Sequence, residues 1–144
     1  MKKDKARMLL SIARSVVIHV ERRFDRSIPW FEGYSDMQLI MQKYAVILIG
    51  GLGLTKEEAI EREIGVFKKV DEAIAQRTYI TDDPLRFKLF LTVLEEDMKQ
   101  IFVERTETEN GMPMVEVKDL LPVTSRNVLR RLRGNGVTAV QYSH

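Results

Sequence analysis

Apolar side chains recur at helical intervals through most of the first hundred residues. Leu9, Ile12, Ala13, Val16, Val17, Val20 and Phe24 fall on one stripe, which predicts a helix over about 3–26. Ser35-Asp36-Met37-Gln38 has the form of a capping box and opens a second helix, about 36–49. This stretch is apolar nearly all round, the mark of a central, buried helix. The β-branched Val46, Ile47 and Ile49 leave a short buried strand open as the alternative. Thr55-Lys56-Glu57-Glu58 is a second capping box, opening a helix over about 56–77 with Ile60, Ile64, Phe67, Val70 and Ile74 as its core stripe. Asp83-Pro84 starts a fourth, about 84–103, carried by Leu85, Leu89, Val93, Met98 and Phe102.

Between these helices stand two kinds of punctuation. Residues 27–34 hold Pro29 and Gly33 and read as a loop, with Trp30, Phe31 and Tyr34 crowded into it. Those three aromatics either plug the core beneath a helix corner or form an exposed partner-binding anchor. Gly50-Gly51-Leu52-Gly53 fits neither nucleotide-binding fingerprint, and no Gly-Lys-Ser/Thr follows. A helix C-terminus needing a left-handed residue accounts for it.

Beyond residue 103 the helical period lapses. Asn110-Gly111 is a strong hairpin signal, and Val115 and Val117 alternate at period two on its far side. A helix over about 115–121 competes for those residues. Thr124 then caps a short segment in which Val128, Leu129 and Leu132 form a buried side, with arginines on the remainder. The fold class expected is mainly α: a bundle of about four helices over 1–103. A small hairpin–helix–strand appendage over 104–144 completes one compact domain.

The chain has 144 residues, no Cys and only His19 and His144 as imidazoles. Disulfides, thiolate metal sites and a Cys nucleophile are excluded, and no metal or cofactor is expected. The N-terminal apolar stretch is broken by Arg14 and His19, with no small-residue cleavage site after it. The longest apolar run, Tyr44 to Leu54, is about half a membrane span. A cytoplasmic, soluble protein is expected.

Charge is unevenly placed. Residues 1–34 carry 8 basic and 4 acidic side chains, residues 35–114 carry 10 and 15, and residues 115–144 carry 5 and 2. Basic ends around an acidic middle bind polyanions or pair between protomers. Lys5, Arg7, Arg14, Arg22, Arg23 and Arg26 read as solvated flanks of the first helix. Glu57, Glu58, Glu61 and Glu63 read as a solvated acidic face, since no Glu-x-x-His accompanies them. Asp82, Asp83, Glu95, Glu96 and Asp97 define no acid–base pair, and no nucleophile elbow or metal motif occurs. No catalytic residue is assigned.

The remaining candidate chemistry is the segment Val123-Thr124-Ser125-Arg126-Asn127-Val128-Leu129-Arg130-Arg131-Leu132-Arg133, after which Gly134 to Tyr142 contain turn and strand signals. Residues 115–142 resemble a helix-turn-helix or winged-helix DNA-binding motif, with 123–133 as its second helix and 134–142 as its wing. Pro122 stands where that motif usually has Gly, and Lys118 where it has a small residue. The resemblance implies that Thr124, Ser125, Arg126, Asn127, Arg130, Arg131 and Arg133 face duplex DNA. It implies a non-enzymatic regulator of transcription, working as a homodimer on paired half-sites. The alternative is a helical interaction or oligomerisation module whose arginines face water or meet the Glu57–Glu63 face.

Overall fold

A computed structural model of the chain describes residues 2–23, 34–77, 83–106 and 115–121. Among the described residues there are five α-helices: α1 (Lys2–Arg23), α2 (Tyr34–Val46), α3 (Lys56–Gln76), α4 (Asp83–Thr106) and the single turn α5 (Val117–Leu120). A π-helical segment, Ile47–Gly51, extends α2. There is no strand among the described residues. The expected mainly α bundle of four long helices is therefore the observed architecture. α1 packs on α2 and α3, α3 packs on α4, and α5 sits on α2 and α4.

One core joins all five helices. Val16 and Val20 of α1, Ile40 and Tyr44 of α2, and Val66 and Val70 of α3 are buried in it, with Phe90 and Leu94 of α4 and Leu120 of α5. Phe67 and Phe90 stack across α3 and α4 with ring centroids 6.2 Å apart.

Glu58 N–H donates to Thr55 Oγ1 at 3.1 Å and Thr55 N–H donates to Glu58 Oε1 at 2.9 Å, so the capping box of α3 is closed. Gly53 takes φ +73°, the left-handed residue the glycine cluster implied.

Four expectations need correction. α2 already includes Tyr34, which puts Ser35 inside the helix rather than at its N-cap, and Gln38 Nε2 donates across to Glu21 Oε1 at 2.8 Å. The strand alternative for Val46, Ile47 and Ile49 gives way to helix, and the helix does not stop at Ile49. It widens into π geometry, with Leu52 N–H donating to Ile47 O at 3.0 Å, five residues back. Gly50 permits this, because a Cβ there would lie 2.6 Å from Leu9 Cδ2 of α1.

The expected apolar stripes of α3 and α4 hold in part: Ile64, Phe67 and Val70 on α3 and Met98 and Phe102 on α4 are buried. On α3 the buried positions are Ala59, Glu63, Ile64, Val66, Phe67 and Val70, while Ile60 and Ile74 are only partly buried. On α4 they are Phe87, Phe90, Leu91, Leu94, Asp97, Met98, Ile101 and Phe102, whereas Leu85, Leu89 and Val93 lie on the flank. Each true stripe contains an acid at its centre, and a hydrophobicity count steps around it. Lastly, Val115 and Val117 do not alternate along a strand: Val117 begins α5, and Val117, Leu120 and Leu121 are buried. The Asn110-Gly111 hairpin, the basic helix and the wing lie outside the described residues, as do Trp30 and Phe31.

Candidate functional site

The two acids on the core faces of α3 and α4 organise the most polar region of the interior. Asp97 is 5% exposed and Glu63 is fully buried. The Tyr44 hydroxyl of α2 donates to Asp97 Oδ2. Arg62 of α3 approaches the same carboxylate from the surface side: its Nε is 3.0 Å from Oδ1 and donates to Oδ2 at 3.1 Å. A further bond runs from Arg62 Nη2 to the Asp97 carbonyl at 3.5 Å, and Nη1 donates to Glu104 Oε2 at 3.1 Å. One guanidinium fork thus holds both a core carboxylate and a surface one, a geometry that suits Arg and not Lys.

This ring has clear electrostatic consequences. Burial, and then the neighbouring Asp97 charge, push the Tyr44 hydroxyl far above the ordinary tyrosine range. Burial works to lower the Arg62 value, but Asp97 and Glu104 outweigh it and the net direction is up. Glu63 differs from its neighbours because neither of its carboxyl oxygens has a hydrogen-bond partner. Burial, with Asp97 adding to it, raises its pKa well above the usual carboxylate value, so the neutral acid is favoured.

Outside the core the α3 acids meet arginines from other helices. Arg105 Nη2 of α4 is 2.6 Å from Glu58 Oε2, and Arg23 of α1 pairs with Glu61. The backbone N–H of Thr55, and then Arg105, hold the Glu58 carboxyl below its ordinary range. A shallow groove of about 490 Å³ runs between α3 and α4, with Leu54 and Ile101 at its base and these ion pairs along its rims. Among the described residues no group of three His, Cys, Asp or Glu is placed to hold a metal ion. Tyr44 and Asp97 are buried, and the network ties α2, α3 and α4 together.

The expected solvated acidic face holds for Glu57, Glu58 and Glu61, which are exposed, and fails at Glu63. Of the expected partner-binding aromatics, Tyr34 is the first residue of α2. The expected DNA-facing set Thr124, Ser125, Arg126, Asn127, Arg130, Arg131 and Arg133 lies outside the described residues, so it is brought neither to this network nor away from it. From the sequence, Glu63 is expected on a solvated face and Asp97 among acids that define no acid–base pair, and nothing local marks Tyr44 and Arg62 as partners of Asp97. The available signal was phase: Glu63 and Asp97 each complete an i, i+3, i+4, i+7 series of buried positions. No described helix is long and apolar enough to cross a membrane.

No protein-family model matches this sequence, and no curated protein and no solved structure is significantly similar to it.

Proposed function

We propose that this chain is a non-enzymatic DNA-binding protein that engages duplex DNA through its basic C-terminal segment. In this reading residues 123–133 form the recognition helix and 134–142 the wing. Arg126, Asn127, Arg130 and Arg131 meet the major groove, with Arg133 nearer the phosphates. One observation carries the proposal. Of the α3 acids that would otherwise neutralise those arginines, Glu58 is paired with Arg105, Glu61 is paired with Arg23 and Glu63 is buried, which leaves Glu57 as the exposed acid of that face outside these pairs. The acidic face of α3 is thus largely neutralised by arginines of α1 and α4 and keeps little free charge for other cations. Supporting it, α5 anchors the root of the segment, with Leu120 and Leu121 in the bundle core. The bundle would pair protomers so that two segments read half-sites about one helical turn apart, as a cytoplasmic regulator of transcription.

The test is a titration with mixed-sequence duplex at two salt concentrations. Binding should weaken steeply with salt and be lost when Arg126, Arg130 and Arg131 are changed to Ala. Absence of binding at low salt would sink the DNA reading and leave the helical interaction module in its place.

A further inference from the structure

Eight arginines lie among the described residues, and they divide sharply. Arg23, Arg62 and Arg105 pair with carboxylates, Arg77 donates to the Ala73 carbonyl at 3.3 Å, and Arg86 also has a partner. Arg7, Arg14 and Arg22 are exposed and have no ion-pair or hydrogen-bond partner among the described residues. All three belong to α1. Seven and eight residues apart, at 100° per residue, they fall within about 80° of one another around the helix axis. Lys3 continues the row toward the N-terminus. The row spans about 28 Å at 1.5 Å per residue. Two acids flank it. Glu21 is held by Gln38 Nε2 at 2.8 Å, and Asp4, in the first turn, has an interaction of its own.

We infer that this outward row of α1 is a second nucleic-acid surface, binding the phosphate backbone of duplex DNA. The inference rests on the DNA-binding reading above and adds a surface to it. Duplex DNA presents about one negative charge per 1.7 Å of axis, a continuous line that a linear row of unpaired cations matches. Arginine forks suit phosphate oxygens bidentately, and contacts of this kind position a protein without reading sequence. An anionic lipid surface fits less well. An interfacial helix needs its apolar face free, and the apolar face of α1, Ala13, Val16, Val17 and Val20, is buried in the bundle. The large apolar side chains exposed on this helix are Met8, Leu10 and Ile18, scattered outside that face.

The test uses the full chain and the triple variant Arg7→Ala, Arg14→Ala, Arg22→Ala, with unchanged helical circular dichroism and melting temperature as the folding control. Both proteins are titrated against two unrelated duplexes across a salt series, and against phosphatidylserine-containing vesicles. The variant should lose about tenfold or more in affinity for both duplexes equally, and its slope of log affinity against log salt should fall by about 0.9 for each phosphate contact removed. A variant that binds like the parent overturns the α1 surface and leaves the C-terminal reading standing. Failure of the parent to bind any duplex at low salt removes both. Vesicle binding that the triple variant abolishes, with duplex binding unchanged, also overturns the proposal.

Discussion

The Tyr44 hydroxyl donates to Asp97 across α2 and α4, two positions 53 residues apart that are both sealed from solvent. Neither residue has a sequence neighbour that predicts the other, yet each needs its partner. A buried phenol without an acceptor, or a buried carboxylate short of a donor, costs about 1–3 kcal/mol. Tyr44→Phe is expected to destabilise the fold by about that amount. Asp97→Ala should cost more, about 3 kcal/mol, because it also strips the inner partner from Arg62. A double-mutant cycle of Tyr44→Phe with Asp97→Asn, read by urea denaturation, should return a coupling of about 1 kcal/mol. Strict additivity would mean that the two groups do not interact.

Glu63 predicts a pH dependence of definite sign. Its folded-state pKa lies well above the ordinary 4.5. Below that ordinary value both folded and unfolded chains hold the proton, and this group gives pH no leverage. Above it the unfolded chain releases the proton while the folded chain keeps it, so stability falls as pH rises, by at most about 1.4 kcal/mol per pH unit, until the folded-state pKa is reached. Glu63→Gln removes the titration. As pH rises above the ordinary carboxylate value the variant should gain steadily on the parent in denaturant midpoint, until the folded-state pKa of Glu63 is passed. Parallel curves over that range would show that Glu63 does not titrate as its burial requires.

Two glycines should respond to alanine with opposite signs. Gly65 lies inside α3, and an added Cβ would meet nothing within 4 Å. Gly65→Ala is therefore expected to raise stability by about 0.5–1 kcal/mol. Gly53 also has open space around it, but its φ of +73° is a conformation that a Cβ disfavours. Gly53→Ala should lower stability by about 1–2 kcal/mol. Thermal melts of the two variants, compared with the parent, should move in opposite directions.

The N-terminus of α3 is both capped and cross-linked. Thr55 accepts from the Glu58 amide, while the Glu58 side chain takes the Thr55 N–H and the Arg105 guanidinium. Thr55→Ala should cost about 1 kcal/mol. Arg105→Ala should cost well under that, because its pair with Glu58 is exposed and screened. Equal losses in chemical denaturation would mean that the surface pair, and not the cap, holds this helix start.

The helices and their order were legible from sequence because the signals are local. Thr55 and Glu58 sit one turn apart and find each other through the backbone, and Gly53 announces its own dihedral freedom. Tertiary structure overrode such signals only where a neighbour interfered: Leu9 meets Gly50 where α2 turns into π geometry, and Glu21 takes the amide of Gln38.

Which sides of α3 and α4 face inward was not legible in the same way. Hydrophobicity alone finds Ile64, Phe67 and Val70 on α3 and Met98 and Phe102 on α4, but it passes over Glu63 and Asp97 and gives too much weight to Leu85 and Leu89. An acid belongs in a core only when partners elsewhere make its burial tolerable. For Asp97 those partners are Tyr44 and Arg62, supplied by other helices; Glu63 instead depends on keeping its proton.

The sequence by itself determined the helical character of the bundle, the cap of α3 and the uneven charge along the chain, since each depends on residues within a few positions of one another. Only the tertiary structure decided that two acids lie in the core, that Glu58 and Glu61 are met by arginines from α4 and α1, and that three arginines of α1 form one row without partners among the described residues. Those outcomes depend on distances between residues far apart in the chain, and these exist only once the helices have packed.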